Sequence, residues 1–201
     1  MTISTEQIKT LREQTGVGIL DCRKALEDAN GDFDIALENL RAKGQATAAK
    51  RADREASEGV VELYSHGDGR VGVMVEVNCE TDFVGRSKEF RGFAHEIALQ
   101  IAAAAPSYVR AEDVPEEVLE LRRGIVREQA LEEGKLENIV DRIVEGRMDK
   151  YIQEISLLNQ EYIRDDNLTI EQLLLENIAA IGENIVIRRF ERWELGDSTV
   201  D

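Results

Sequence analysis

Hydrophobic positions along the chain change their period once, near residue 58, and the change divides the sequence. Before it the spacing is helical. Ile8 and Leu11 repeat at a helical interval, with Ser4 and Gln7 in capping-box spacing ahead of them. Gly16 and Gly18 in "TGVG" break this first helix. Leu20, Ala25, Leu26 and Ala29 then share one side of a second, which Asn30-Gly31 stops. Asp32 caps a third, "FDIALENLRAKG", with Phe33, Ala36, Leu37 and Leu40 facing inward. Three helices over residues 1–43 bury only a small core, so this reads as a compact satellite domain. Residues 44–56, which hold all but the last residue of "QATAAKRADREAS", read as a basic helical or extended linker.

From residue 58 the pattern alternates. "EGVVELYSHGDGRVGVMVEVNC" predicts two strands joined at His66-Gly67-Asp68-Gly69, because Asp-Gly suits a tight hairpin turn. Amphipathic helices follow in "SKEFRGFAHEIALQIAAAA", with Ser87 as its cap, and in "EEVLELRRGIVREQALEEG" behind Pro115. Two more are expected in "LENIVDRIVEGRMDKYIQEISLL" and "TIEQLLLENIAAIG", and "ENIVIRRFERWEL" closes the chain as a strand. That strand is expected to place Ile185, Ile187 and Arg189 on one face and Val186, Arg188 and Phe190 on the other. Residues 57–201 therefore predict an α+β core with a small antiparallel sheet flanked by helices. Trp193 is read either as a subunit contact or as a cover for the core.

Composition narrows the function. A formal charge of −16 disfavours nucleic acid as a direct partner, since phosphates repel an acidic surface. Arg41, Lys43, Lys50, Arg51 and Arg54 nevertheless cluster around one acid, Asp53, which leaves a local acidic contact open. No apolar run reaches the ~18 residues of a membrane span, and the N-terminus lacks the basic start and apolar core of a secretory signal. With two distant cysteines and no disulfide framework, a cytoplasmic protein is expected.

Catalytic signatures are sparse. Neither phosphate-cradling glycine fingerprint occurs, and "GDGRVG" joins two strands rather than a strand and a helix. His66 and His95 have no zinc-type spacing to a cysteine, so no metal or cofactor is expected. Cys79 with His95 as its base is a pairing that sequence leaves open, against Cys79 as a small residue filling the sheet. The acids are spread along helix faces. The composition favours binding over an enzyme.

Four stretches carry a resemblance that spans nearly the whole chain. "LREQTGVGILDCRKALEDANGDFDIALENLRAKG", "EVNCETDFV", "VEGRMDKYIQEISLLNQEYI" and "IGENIVIRRF" resemble, in order, segments of the elongation factor Ts family, nucleotide-exchange factors of bacterial translation. The resemblance implies elongation factor Tu as partner, in its GDP-bound and nucleotide-free forms. It implies that Thr81, Asp82, Phe83 and Val84 enter that partner and disturb the magnesium beside GDP, with Phe83 as the wedge. It also implies that Val17, Gly18, Ile19, Leu20 and Arg23 pack on a partner helix beside the nucleotide site. Many members carry methionines where Ile19 and Leu20 stand, so apolarity is kept and adaptability reduced. Arg23 keeps the charge of the usual lysine. Longer members have a duplicated second half of the core and a projecting helical hairpin, expected here to be compressed or absent. A homodimer or a two-plus-two complex follows from that shortening.

Other readings stand beside this one. Phe83 on spacing alone also fits a ring tucked under the next helix near Phe90 and Phe93, with Thr81 or Asp82 capping that helix. Ile19 and Leu20 also fit plain domain core. Residues 1–43 resemble ubiquitin-associated domains as well, which suggests a ubiquitin-binding adaptor, and a scaffold without exchange activity completes the set.

Overall fold

A computed structural model describes residues 3–197; residues 1–2 and 198–201, the outer ends of the expected N-terminal domain and core, lie outside the described residues. Three helices open the chain: α1 (Thr5–Thr15), α2 (Ile19–Asp28) and α3 (Phe33–Ala49). Their ends follow the sequence signals. Ser4 and Gln7 form a reciprocal capping box, and the Asp32 carboxylate accepts from the Ile35 N–H at 3.1 Å. Leu11, Cys22, Ala25, Leu26, Ala29, Ala36 and Leu40 form the small core, with Phe33 and Leu37 against it. Leu20 does not join them. It projects outward, because Cys22 occupies the inward position on its turn of α2.

Helix α3 runs through Gly44 to Ala49, so the segment expected as linker begins inside the helix, and Ala48 is buried in the main core. The N-terminal helices are seated on α8 (Ile170–Ile181), where Arg41 reaches Glu176 at 2.9 Å. Burial raises the carboxyl pKa of Glu176, and Arg41 opposes that rise. Three members of the basic cluster are matched by acids of the same chain: Arg41 with Glu176, Lys43 with Asp21, and Arg54 with Glu80.

The core is built on a three-stranded antiparallel sheet in the order β1 (Glu58–His66), β2 (Val71–Cys79), β5 (Ile185–Glu194). The hairpin turn falls at Gly67–Arg70, with Gly67, Asp68 and Gly69 all at positive φ. Val71, Val73, Val75, Val77 and Cys79 bury one face of β2 against α5 (Lys88–Ala104), which contributes Phe90, Phe93, Ala94, Ile97 and Ile101. Gln100, fully buried on α5, donates to Gln160 and to the Glu161 carbonyl and accepts from the Ile163 N–H. It thereby fastens a two-stranded hairpin absent from the sequence reading, β3 (Glu161–Tyr162) with β4 (Asp165–Thr169).

The facing of β5 differs from expectation. Val77 pairs with Ile187 but Glu76 pairs with Arg189, so Arg188 is an extra residue in a β-bulge. Strict alternation fails there. Ile185 and Ile187 face the core, and beyond the bulge Phe190 packs against it, while Arg189 turns outward to Glu76.

Helices α6 (Glu116–Glu132) and α7 (Glu137–Ile155) form an antiparallel hairpin around Val126, Ala130, Val140, Val144 and Met148. A helical hairpin, expected to be compressed or absent, is thus present. Its second helix ends at Ile155, and Leu157–Asn159 turn back into the core instead of extending it.

One close approach fixes the start of β1. Gly59 has φ +142°, and a Cβ there would lie 2.1 Å from the Val77 carbonyl oxygen. Gly59→Ala must therefore separate β1 from β2 locally. We predict a loss of roughly 3 kcal/mol or more, read as a fall of about 6–12 °C in the thermal midpoint.

Candidate functional site

Strand β2 ends at Cys79, and the next residues turn out of the sheet. Thr81 caps a single helical turn, α4 (Asp82–Gly85), its hydroxyl accepting from the Val84 N–H at 3.4 Å. Ser87, not Thr81 or Asp82, caps α5. Asp82 pairs with Arg86 at 2.9 Å in a surface contact that contributes little to stability.

Phe83 points away from the protein. Its side chain is 82% exposed, while Phe90 and Phe93 are buried, so the ring is not tucked beneath α5. Val84, its neighbour, packs partly against the core and anchors the turn. Gly85 lies against the Gly59 backbone, where a Cβ would come within 3.2 Å of the Gly59 carbonyl oxygen. The two glycines let α4 sit flat on the sheet edge.

The turn is also held from a distance. Glu183, in the connection between α8 and β5, accepts from the N–H groups of Glu80 and Thr81, both at 3.0 Å, and from the Thr81 hydroxyl at 2.7 Å. Glu80 in turn accepts from the Asn184 N–H at 2.7 Å and meets Arg54 at 3.4 Å. Asn184 donates its side-chain amide to the Arg54 carbonyl at 2.8 Å. The Asn184 N–H and the Arg54 guanidinium hold the Glu80 carboxyl below its usual pKa. Sequence reading missed Glu80, Glu183 and Asn184, and the only local hint was "IGEN" breaking α8 at Gly182.

The N-terminal residues separate into two groups. Gly18 begins α2, where Ile19 is 54% and Leu20 80% exposed, and Arg23 is exposed and paired with Glu27. Val17 instead packs against the domain core. Ile19 and Leu20 are surface residues, not plain core.

Cys79 and His95 are not brought together. The His95 ring meets Glu62 at 2.9 Å, and Glu62 pairs across the sheet with Val75. Val75 is four residues from Cys79, about 13 Å along the strand. The Cys79 thiol donates to the Thr81 carbonyl at 3.2 Å instead. Among the described residues no group of three or more His, Cys, Asp or Glu is placed to hold a metal ion, and no helix is long and apolar enough to cross a membrane.

Fold and site together define an α+β protein that presents an exposed aromatic residue on a braced surface turn. Comparison with known proteins supplies the family. The profile described as elongation factor TS matches residues 36–179. Elongation factor Ts of Carboxydothermus hydrogenoformans is 58% identical over 195 residues, covering 97% of this chain and 90% of the relative. Those of Caldanaerobacter subterraneus subsp. tengcongensis and Moorella thermoacetica are 59% and 54% identical, each covered over 98% of its length. The chain belongs to the elongation factor Ts family, and so to the translation elongation factors. The matched region lies largely in the core, which the ubiquitin-associated resemblance of residues 1–43 does not reach.

Burial, then the charge of Glu183, push the Cys79 thiol from its ordinary 9.0 to about 11. Below pH 9 the thiol is protonated in folded and unfolded chains alike, and its contribution to stability is fully present. As pH rises from about 9 to about 11 only the unfolded chain ionises, so that contribution is lost. We predict that native protein at pH 8 resists iodoacetamide at Cys79, while urea-unfolded protein is alkylated there. Labelling is read by mass spectrometry.

Proposed function

We propose that this chain promotes exchange of GDP for GTP on elongation factor Tu, without catalysing a covalent step, by inserting the 81–84 turn beside the partner's nucleotide. The observation that carries this reading is Phe83, an 82% exposed ring on a turn held by hydrogen bonds. A rigid aromatic side chain loses little entropy when a partner's pocket closes on it, which suits a binding hot spot. Family membership supports the same reading.

The mechanism follows from linkage. A factor that prefers nucleotide-free Tu to Tu·GDP must weaken GDP binding by the same ratio. In this reading Phe83 is the wedge, Asp82 its polar neighbour and Val84 the anchor, and their entry dislodges the partner's magnesium. Loss of that counter-charge lets the diphosphate leave, and GTP reloads the site.

Magnitude requires a second contact. Burying one phenylalanine supplies roughly 1.5–3 kcal/mol, and shifting a two-state site almost fully needs on the order of 5.5 kcal/mol. The exposed start of α2, with Ile19, Leu20 and Arg23, is our candidate for that second surface. Val17 and Gly18 set its backbone rather than its contact area.

The complex is proposed to be two-plus-two, built on a homodimer, in the cytoplasm, with no direct contact to nucleic acid or membrane. Support comes from the outer face of the sheet, which α5 does not cover. Leu63 is 70% and Trp193 78% exposed there, and Met74 and Val61 lie on the same face. Large apolar side chains grouped on an uncovered sheet face mark an interaction site. A second copy offers a matching face through a two-fold axis.

Two measurements test these readings. Stoichiometric protein should accelerate release of a fluorescent GDP analogue from elongation factor Tu. Phe83→Ala should reduce the acceleration about ten- to a hundredfold, while binding through α2 persists. Unchanged GDP release with the unaltered protein would refute the reading. By sedimentation, the protein should have the mass of a dimer, and Leu63→Glu with Trp193→Glu should give monomers. A monomer before substitution would refute the dimer.

A further inference from the structure

Packing of Val84 and the buried Gly85 holds the inner side of the turn, but nothing packs around the Phe83 side chain itself. Its ring is exposed, and a four-residue helix such as α4 is too short to be stable alone. Polar restraints complete the turn, and they converge on Thr81. Its carbonyl accepts from the Cys79 thiol and from the Gly85 N–H at 3.1 Å. Its N–H and hydroxyl both donate to Glu183, and the hydroxyl, with its proton so engaged, accepts from the Val84 N–H. Every polar group of Thr81 is thereby used.

We infer that Glu183 is a positioning residue for the exchange step, fixing the backbone at residues 80–81 and, through the Thr81 hydroxyl, the turn that carries Phe83. The inference rests on the reading of Phe83 as the inserted side chain. Three considerations support it. Glu183 is only partly buried, so its carboxylate is not a core-filling group. It accepts three hydrogen bonds from two consecutive residues, and bonds to a charged acceptor are the stronger kind. A turn ordered before contact spares the complex the entropy of ordering it. Glu183 also stands directly after Gly182, which ends α8, the helix on which α3 is seated. The brace of the turn and the seat of the N-terminal helices therefore share one element.

The test is a double-mutant cycle on GDP release from elongation factor Tu at saturating factor, using the full chain with Glu183→Ala, Phe83→Ala and both. Glu183→Ala should lower the maximal release rate roughly tenfold, with the half-saturating concentration and thermal midpoint little changed. In the Phe83→Ala background it should cost nothing further, because its effect runs through the ring. Glu183→Gln should recover much of the rate, since its amide oxygen still accepts both N–H bonds. Thr81→Val, which removes the hydroxyl bond to Glu183 together with the cap on Val84 and keeps both N–H bonds, carries the same cycle should Glu183→Ala fail to fold. Additive losses in the double mutant, or a Glu183→Ala rate equal to that of the unaltered protein, would overturn the inference. Phe83→Ala releasing GDP at the unaltered rate would instead remove the reading of Phe83 on which it rests.

Discussion

Strand β2 is the element on which the rest of the core leans. It is paired along both edges, with β1 and β5, and its alternating Val71, Val73, Val75, Val77 and Cys79 form the wall on which α5 packs. A one-residue slip would turn that wall to solvent, so the register is strongly specified. The same register sets where the strand ends, and residue 80 must leave the sheet where β1 begins and β5 enters. Two glycines, Gly59 and Gly85, leave room for the chain to fold flat at that corner. An exposed phenylalanine is the outcome of a buried strand ending in a confined place.

Polar groups then do what burial cannot. Glu183, Glu80, Asn184 and Arg54 link the exit of β2, the entry of β5 and the segment after α3 into one network. Each member is partly exposed or hydrogen-bonded, so the network holds direction more than it adds core stability. Helix α8 extends the connection, because the helix whose end leads to Glu183 also receives Arg41 from α3. The two surfaces assigned to partner contact, the start of α2 and the α4 turn, are therefore tied through one helix. In the proposed function this matters, since Phe83 alone has too little apolar area to shift the partner.

Much of this fold was legible in the sequence because its signals are local. The capping box at Ser4, the Asp32 cap, the Asp-Gly hairpin, Ser87 and the alternation of β2 all act within a few residues. What escaped depends on distant partners. The bulge at Arg188 is set by how β5 meets Glu76 and Val77, and no local composition marks it. The short β3–β4 hairpin is fastened by Gln100, some sixty residues earlier, and Glu183 reaches Thr81 across 102 positions. Leu20 was ambiguous because one turn of α2 holds both Leu20 and Cys22, and only packing decides which faces in. For Phe83 the family resemblance and the local spacing pointed opposite ways, and the structure leaves the ring exposed. Its spacing to Phe90 and Phe93 favoured a buried ring, and the short turn capped by Thr81 overrides that pattern.

Placing a photoreactive benzoyl-phenylalanine at position 83 and cross-linking it in the complex with nucleotide-free elongation factor Tu would show where the ring goes. Insertion of Phe83 predicts a cross-link to peptides of Tu that border its nucleotide site, suppressed when excess GDP is present. Cross-links confined to a second copy of this chain, or to a Tu surface unaffected by GDP, would contradict it.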